Sequence, residues 1–457
     1  MVNSRIRAAS DLFVRLFFWG TIVFLCRAVS IEAAPAEDFS PKRVVTDNGL
    51  IVVIQEAHAL PIVNIQMIVK AGSVLDPEDK AGLANLTAEL LEAGTATRSA
   101  TQIADAVDFI GAGLSVGGGE DYATASLRVL KRDLNTGLDL LSDILVHPSF
   151  PEPELDRERQ EILGEILSEK DQPEVVAEKA FNQIVFGAHP YRCPAEGTEQ
   201  TLPAISRDDV SRFYEAYYRP NNTIMTIVGD ITESEALDLL KTYFGSWTQR
   251  PIPAVTVSPA VGLEKPVVKL IDKDLTQANI MLGHLGIDRK NPDYYAVTVM
   301  NYILGGGGFS SRIMSNIRDN QGLAYSIYSR FDARAFPGSF AVSLQTRNAA
   351  AQQAIDGVLA ELRKIRTAPV TDRELEDAKA FLIGNFPLRT DTSEKIAGFL
   401  AQTEFYNLGL DYAQRYPKLI RAVTKTDVQR VAQKYIDPDH LALVVVAKQD
   451  EAKIRQN

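Results

Sequence analysis

Asn85, Ala88 and Glu89 lie at positions i, i+3 and i+4 of a predicted helix, where side chains share one face. Two imidazoles with the i, i+4 spacing can bind a zinc ion, and a carboxylate between them can activate a water molecule for hydrolysis. This chain has an amide, a methyl group and a carboxylate instead. The helix therefore offers neither soft nitrogen ligands nor a positioned general base. We expect no zinc-dependent hydrolysis by the chain alone.

Arg318 and Tyr325, in the second half of the chain, are suited to stabilising negative charge. A guanidinium supplies fixed, charged donors and a phenol adds an O–H donor, so the two together could bind a developing oxyanion. The glycine run at 305–308 precedes them but lacks the G-K-[ST] that completes a phosphate-binding loop. A purely structural alternative is that Arg318 complements the dipole at a helix C-terminus and Tyr325 begins a strand.

The five histidines do not supply a metal site in place of the missing ligands. No two of them have the i, i+3 or i, i+4 spacing of a helical metal site, and they are spread along the whole chain. A zinc site assembled from distant loops stays open as an alternative, although no His or Cys cluster indicates it. The histidines are His58, His147, His189, His284 and His440.

The composition is that of an ordinary globular protein with more than one domain. The chain has 457 residues, of which 46% are hydrophobic and 23% are charged, and its formal net charge is -11. This length predicts two or more domains of about 100 to 200 residues each. The negative charge, without a concentrated basic stretch, argues against a nucleic-acid partner.

Residues 1–35 have the pattern of an export signal. Arg5 and Arg7 precede an apolar run at 16–25, and small residues follow it. The run is too short for a comfortable bilayer span. We therefore expect an exported protein, periplasmic or extracellular, that is anchored to the membrane if the segment is not cleaved. Beyond this segment Cys193 is the only cysteine, so no intrachain disulfide is expected.

Hydrophobic patterning predicts an α+β protein. In the first half, β-branched runs predict strands and amphipathic periodicity predicts helices. The predicted strands cover about residues 50–54, 62–69 and 122–130, and the predicted helices about residues 80–93, 99–110, 131–146 and 153–170.

The ends of the two halves contain an internal repeat of helix, proline turn and strand. Asp209 and Pro220 frame the first copy, and Asp427 and Pro438 frame the second with the same interval. Two common helix–strand units could match by coincidence, but the shared spacing favours duplication. The proline-rich segment 249–266 predicts an extended linker. We expect homologous domains on either side of it, at 41–248 and 267–457.

The string Gly82–Thr95 resembles the signature of the insulinase, pitrilysin and mitochondrial processing peptidase family, G-x-A-H-x-x-E-H followed by G-T. In that family the histidines bind zinc and the glutamate activates water. Asn85, Ala88 and Glu89 stand at those three positions in this chain. The resemblance implies two homologous domains, each a mostly antiparallel sheet packed with helices, that together form half of a clam-like chamber.

The charged helix predicted for 153–170 is similar to the family's E-R-x-x-x-x-x-E stretch, in which the second glutamate is the third zinc ligand. Glu158 and Glu165 match the two glutamates. With Asn85 and Glu89 as its neighbours by analogy, Glu165 would complete a set of oxygen ligands that favours calcium or magnesium over zinc. The alternative is that Glu89 and Glu165 are solvated or paired with basic side chains.

The stretch at 305–326 resembles the family's G-G-G-x-S-S-R and R-x-x-x-G-L-A-Y-S segments. The resemblance implies that Arg318 and Tyr325 hold substrate and stabilise the tetrahedral intermediate formed at zinc. The stretch at 111–122 is similar to the family's G-A-x-L-N-A-x-T edge strand, against which substrate peptides pair. Ser115 and Val116 replace its Asn-Ala pair, and three glycines follow at 117–119. Both departures argue against peptide capture on the first half.

These residues together predict a non-catalytic subunit of an exported, heterodimeric zinc endopeptidase that degrades or processes peptides. A homologous partner chain with H-x-x-E-H would bind the zinc ion, and this chain would supply Arg318 and Tyr325 without binding a cofactor itself. One alternative is a catalytically dead scaffold or peptide-binding protein of the same fold. Another is a stand-alone enzyme with atypical metal ligands.

Overall fold

The structure is a computed structural model that describes residues 39–455. The export signal interpreted at 1–35 lies outside the described residues. None of the helices within 39–455 is long and apolar enough to cross a membrane.

Six strands form the first sheet, in the spatial order β1–β2–β6–β3–β5–β4. Only β2 and β6 pair in parallel, and all other neighbours are antiparallel. The prediction for 62–69 is confirmed exactly, and the other two predicted strands differ from the observed ones by one or two residues. The strands are β1 Lys42–Val45, β2 Ile51–Glu56, β3 Ile62–Val69, β4 Gly113–Gly117, β5 Ala123–Leu130 and β6 Thr223–Gly229.

Five strands form the second sheet, in the order β7–β11–β8–β10–β9. Only β7 and β11 pair in parallel. This sheet repeats the order and the strand directions of β2–β6–β3–β5–β4, which agrees with the duplication inferred from the sequence. The strands are β7 Val267–Asp272, β8 Gln277–Leu285, β9 Ala324–Phe331, β10 Ser339–Arg347 and β11 Ala442–Ala447.

Fourteen α-helices pack against the two sheets within the described residues. They are α1 Leu83–Glu89, α2 Ala100–Phe109, α3 Leu134–Val146, α4 Glu152–Glu169, α5 Pro173–Phe186, α6 Arg207–Tyr217, α7 Glu233–Phe244, α8 Tyr294–Asn301, α9 Ala351–Thr367, α10 Asp372–Gly384, α11 Ser393–Phe405, α12 Tyr412–Arg421, α13 Lys425–Tyr435 and α14 Gln449–Ala452.

The helix predicted for 80–93 is shorter than expected, because α1 occupies only Leu83–Glu89. A separate 3₁₀ turn covers Glu78–Lys80, and Gly82 adopts a left-handed conformation that an α-helix cannot continue through. The helix predicted for 131–146 also begins with a 3₁₀ turn, at Lys131–Asp133, before α3. Both helices were predicted too long, because the apolar periodicity continues into the neighbouring turns, whose apolar residues pack on the same core.

The repeated aspartates have the same structural role in both halves. Asp209 is the third residue of α6, and its carboxylate accepts a hydrogen bond from the backbone N–H of Ser206 at 2.9 Å. Asp427 is the third residue of α13 and accepts from the N–H of Thr424 at 3.0 Å. In both helices the hydroxyl of the N-cap residue accepts from the aspartate N–H in return, which completes a capping box.

Each sheet is covered on one face by a helix from the other half of the chain. Helix α5, from the first half, packs on β8 and β11, and its Phe181 is fully buried in an apolar cluster with Val444. Helix α11, from the second half, packs on β3 and β6, where Ala401 contacts Ile68. Residues from 41 onward consequently form one compact unit.

Candidate functional site

Helix α1 is held at its N-terminus by the side chain of Asp76. The two carboxylate oxygens of Asp76 accept hydrogen bonds from the N–H groups of Gly82 and Ala84, both at 2.9 Å. These bonds satisfy donors that the first turn of a helix leaves free. On α1 itself Ala88 is fully buried, whereas Asn85 and Glu89 are half-buried. Asn85 and Glu89 are therefore the accessible pair on this helix.

The glycines that follow β4 pass directly over the accessible face of α1. A Cβ atom placed on Gly118 would lie 2.5 Å from Cα of Asn85 and 2.8 Å from its side-chain oxygen, so no other residue fits without movement. β4 is an edge strand of the first sheet, as the resemblance implies. The glycine run, which the sequence presented only as a departure from the edge-strand motif, therefore lets the backbone approach Asn85.

Carboxylates from two helices gather beside this face. Burial, together with the negative charges of Glu158, Glu92 and Glu165, raises the pKa of Glu89 to about 7. Burial also raises the pKa of Glu158. Within the described residues neither Glu89 nor Glu165 forms an ion pair with a basic side chain. The structure thus places Glu165 of α4 near α1, and like charge rather than a basic partner surrounds Glu89.

These side chains do not fit a zinc ion. The donors at the accessible face are the amide of Asn85 and the carboxylates of Glu89 and Glu165, without a single imidazole or thiolate. Across residues 39–455, no group of three or more His, Cys, Asp or Glu side chains has an arrangement that could hold a metal ion. His284 illustrates why a distant histidine does not help. Its Nδ1 bonds the carbonyl of Leu285 at 2.9 Å, and its Nε2 accepts from the Asp437 N–H at 3.0 Å.

Arg318 and Tyr325 are joined by a tight turn at the edge of the second sheet. Arg318 lies in a π-helical segment, Met314–Asn320, where sequence analysis expected an ordinary helix. Gly322 has a φ of +63°, and its N–H donates to the carbonyl of Arg318 at 2.9 Å. The turn leads into β9, whose second residue is Tyr325. The left-handed conformation at Gly322 explains the glycine at this position.

The side chains of Arg318 and Tyr325 lie together on the surface. Cζ of Arg318 is 5.6 Å from the ring centroid of Tyr325 and 4.6 Å from that of Phe309. Tyr325 is 78% exposed and Phe309 is 71% exposed. Arg318 forms no ion pair within residues 39–455, so its N–H donors are available to another molecule. Arg318 also lies in the last turn of its helical segment, so a favourable dipole interaction accompanies this exposure.

Two residues support this surface in ways that the sequence did not reveal. Phe309 occupies the unspecified position of the glycine-rich motif, so only the folded geometry identifies it as a platform for Arg318. Arg312 forms a two-pronged ion pair with Glu374 of α10, with N–O distances of 2.6 and 2.9 Å. This guanidinium lowers the pKa of Glu374 to about 2. The ion pair links the start of the segment that leads to Arg318 to helix α10.

The structure does not bring the two candidate groups into contact with each other. Among the described residues, no hydrogen bond or ion pair joins Arg318 or Tyr325 to Asn85, Glu89 or Glu165. Arg318 and Tyr325 therefore lie apart from the α1 face in the described part of the chain.

Comparisons with known proteins match both halves of the chain to one peptidase family. Residues 51–199 match the family described as Insulinase (Peptidase family M16), and residues 204–382 match the Peptidase M16 inactive domain. The chain is 29% identical to the uncharacterized zinc protease YmxG of Bacillus subtilis, over 77% of this chain and 85% of that protein. It is also 29% identical to an uncharacterized zinc protease of Rickettsia bellii, over 77% of this chain and 83% of that one.

Solved structures show the same fold. The crystal structure of a peptidase M16 inactive domain from Pseudomonas fluorescens superposes with a TM-score of 0.84 at 30% identity, covering 89% of this chain and 98% of that chain. A protease from Helicobacter pylori superposes with a TM-score of 0.82 at 22% identity, covering 89% of this chain and 99% of that one.

Proposed function

Because this chain belongs to the insulinase family of peptidases, we propose that it is the non-catalytic subunit of an exported, heterodimeric zinc endopeptidase. The partner is a homologous chain with an intact H-x-x-E-H motif, which binds the zinc ion and carries the general base. This chain contributes Arg318 and Tyr325 to the partner's site, and the substrates are peptides.

The observation that carries this proposal is the contrast between the two candidate groups. Tyr325 is exposed, and the half-buried Arg318 beside it has no ion partner within residues 39–455. The face at Asn85 and Glu89, by contrast, lacks every nitrogen ligand and the general base. A chain without any role in hydrolysis has no reason to keep the oxyanion-binding pair alone. Residues 51–199, which include α1, match the insulinase model, and residues 204–382, which include Arg318 and Tyr325, match the inactive domain of the same family.

The chemistry of the pair suits a tetrahedral intermediate made on another chain. The phenol of Tyr325 donates one hydrogen bond to the oxyanion, and the planar guanidinium of Arg318 donates charged hydrogen bonds to the oxyanion or to a substrate carbonyl. Both groups act as hydrogen-bond donors to the intermediate, and the partner's motif supplies the general base. The stacking of Arg318 on Phe309 fixes the plane of the guanidinium before substrate arrives.

Reconstitution tests the proposal. This chain and the H-x-x-E-H homologue from the same genome are purified separately and together, and their association is measured by size-exclusion chromatography with light scattering. Cleavage of a quenched fluorescent peptide is then compared for each chain and for the mixture. We expect a one-to-one complex and cleavage only in the mixture.

Two other outcomes contradict the proposal. Full activity of the homologue alone would remove this chain from catalysis. A complex whose activity does not depend on Arg318 or Tyr325 would instead favour the scaffold interpretation.

A further inference from the structure

A cavity of 560 Å³ lies between the two halves of the described chain. It is not lined by Asn85, Glu89, Arg318 or Tyr325. Gly117, Gly118 and Gly119 form one side, so backbone atoms rather than side chains line this part of the cavity. Arg289 and Tyr412 belong to the second half and line the opposite part. The volume is in the range of sites that bind small organic molecules or short peptides.

Arg289 is a buried cation without a carboxylate partner. Only 9% of its surface is exposed, and no Asp or Glu of the described residues lies within ion-pair distance. Its Nη2 donates a hydrogen bond to the hydroxyl of Tyr412 at 2.8 Å, and its Cζ stacks 3.7 Å from the ring centroid of Tyr294. Burying an unpaired charge is costly, and the faces of tyrosine rings offset only part of this cost.

The acidic side chains that line the cavity are all engaged elsewhere. Glu120 pairs with Arg334 at 2.8 Å, and Asp332 pairs with Arg334 at 2.6 Å and with Arg330 at 3.0 Å. Asp121 accepts from the Ala335 N–H at 2.9 Å and from the hydroxyl of Tyr191. None of these carboxylates is therefore available to neutralise Arg289.

A second guanidinium adds positive charge to the same cavity. Arg389 lines it, is exposed, and forms no ion pair within residues 39–455. Burial raises the pKa of the Tyr412 phenol above its usual value, so this group stays a neutral donor beside Arg289. The cavity thus presents two guanidinium groups without ion partners among the described residues, together with a hydroxyl. This unpaired positive charge favours an anionic ligand.

We propose that this cavity binds the C-terminal carboxylate of a short peptide, with Arg289 as the anchoring residue and Tyr412 and Arg389 beside it. A carboxylate supplies the counter-charge that Arg289 lacks, in the planar geometry that a guanidinium prefers. The glycine wall, which the sequence alone counted against peptide capture, presents backbone N–H and C=O groups rather than side chains to the peptide. The inference does not depend on zinc, on a partner subunit or on Arg318.

Isothermal titration calorimetry of the full chain with two matched peptides tests the inference. N-acetyl-trialanine with a free carboxylate is compared with the same peptide as a C-terminal amide, and inorganic phosphate is titrated separately. We expect the acid to bind at least about tenfold more tightly than the amide, since a hydrogen-bonded charge pair is lost in the amide. Equal binding of acid and amide, or no binding of the acid, would overturn the inference. Phosphate binding tighter than the acid would also overturn it.

Variants locate the site without relying on a single fold-sensitive substitution. Arg289→Gln should abolish the preference for the acid, and Tyr412→Phe should reduce it while keeping the aromatic ring. Arg330→Gln is the matched control, because Arg330 lines the same cavity but is already paired with Asp332. If Arg289→Gln does not fold, the comparison of Tyr412→Phe with Arg330→Gln decides. An acid preference that survives in Tyr412→Phe and falls in Arg330→Gln would contradict the assignment.

Discussion

The guanidinium of Arg318 lies 5.6 Å from the ring of Tyr325, across a glycine turn that separates the π-helical segment from β9. The contact assembles two hydrogen-bond donors on one exposed surface before any ligand is present. The ring of Phe309 also contacts the guanidinium, with its centroid 4.6 Å from Cζ. Preorganised donors are the feature that oxyanion stabilisation requires, because no reorganisation is then needed during the reaction.

Replacing Tyr325 with Phe should lower kcat of the reconstituted pair by about 100-fold if the phenol is a main oxyanion donor. KM should change less, because a contact made mainly in the transition state contributes little to ground-state binding. Steady-state cleavage of a quenched fluorescent peptide provides the measurement. Tyr328→Phe is the matched control, since Tyr328 lies on the same strand and is 50% exposed. Equal rates for the Tyr325 variant and the wild type would remove the catalytic role.

Arg318→Lys should also reduce kcat, although the charge is retained. An ammonium group does not reproduce the planar fork of a guanidinium and stacks less well on Phe309. Phe309→Ala should give a smaller loss of about two- to fivefold, which corresponds to an exposed cation–π contact of about 0.5–1 kcal/mol. Size-exclusion chromatography must show that both variants still assemble. A larger loss from Phe309→Ala than from Arg318→Lys would mean that Phe309 itself contacts the partner or the substrate.

The purified chain should contain no stoichiometric zinc and should cleave no unstructured peptide. Asn85, Ala88 and Glu89 provide no imidazole and no general base at the accessible face of α1. Elemental analysis by mass spectrometry, together with a peptide assay in the presence and absence of a chelator, checks both statements. One zinc ion per chain with chelator-sensitive cleavage would be incompatible with the interpretation of this helix.

The triple substitution Asn85→His, Ala88→Glu and Glu89→His should introduce zinc binding, because Glu165 of α4 already lies near this face. Ala88 is fully buried, so the new carboxylate should also lower thermal stability when no metal is present. The same triple variant with Glu165→Gln is the control and should bind zinc more weakly. Zinc affinity that is the same with and without Glu165 would show that this side chain does not face the restored site.

Stability should fall as the pH rises through about 7, in part because of Glu89. The folded-state pKa of Glu89 is raised from 4.5 to about 7, so the fold favours the protonated form. Its stabilising contribution is complete below about pH 4.5 and is lost as the pH passes 7. Glu89→Gln should remove this dependence, with a gain of about 1–2 kcal/mol over wild type at pH 8.5 after allowance for partial exposure.

Urea unfolding at pH 5 and pH 8.5 measures the effect of Glu89. Glu264→Gln is a suitable control, because Glu264 is exposed in the segment before β7. A wild-type profile that is unchanged by Glu89→Gln would mean that Glu89 is ionised in the fold at neutral pH.

The sequence predicted the strands and the repeat well because both depend on local patterns. Six of the eight residues at 62–69 are buried, as the β-branched content of this run indicates for an interior strand. The repeated aspartates reflect one capping requirement at two helices. The predicted end of the first helix, α1, at residue 93, was wrong. The helix ends at Glu89, and the apolar residues that follow it lie in turns. Periodicity alone cannot distinguish a buried turn from another turn of helix.

Parts of both sites depend on the tertiary fold and have no local signal. Phe309 contacts Arg318 only because the π-helical segment returns past it. Arg289 and Tyr412 are more than 100 residues apart and meet only in the cavity between the sheets. The proximity of Gly118 to Asn85 is likewise a product of packing. A sequence motif describes residues at fixed spacing along the chain. Contacts between residues that are distant in sequence, such as Arg289 and Tyr412, therefore form no motif.

The exchange of α5 and α11 between the halves resembles a domain-swapped dimer, in which each subunit packs one helix on the sheet of the other. Two separate copies of a single half could make the same exchange, but only as fast as they meet by diffusion. Joining the halves through the segment at 249–266 makes that encounter intramolecular and independent of protein concentration. Once joined, the halves were also free to diverge. Each half could change its other surfaces, because it still had to supply only its helix to the other's sheet.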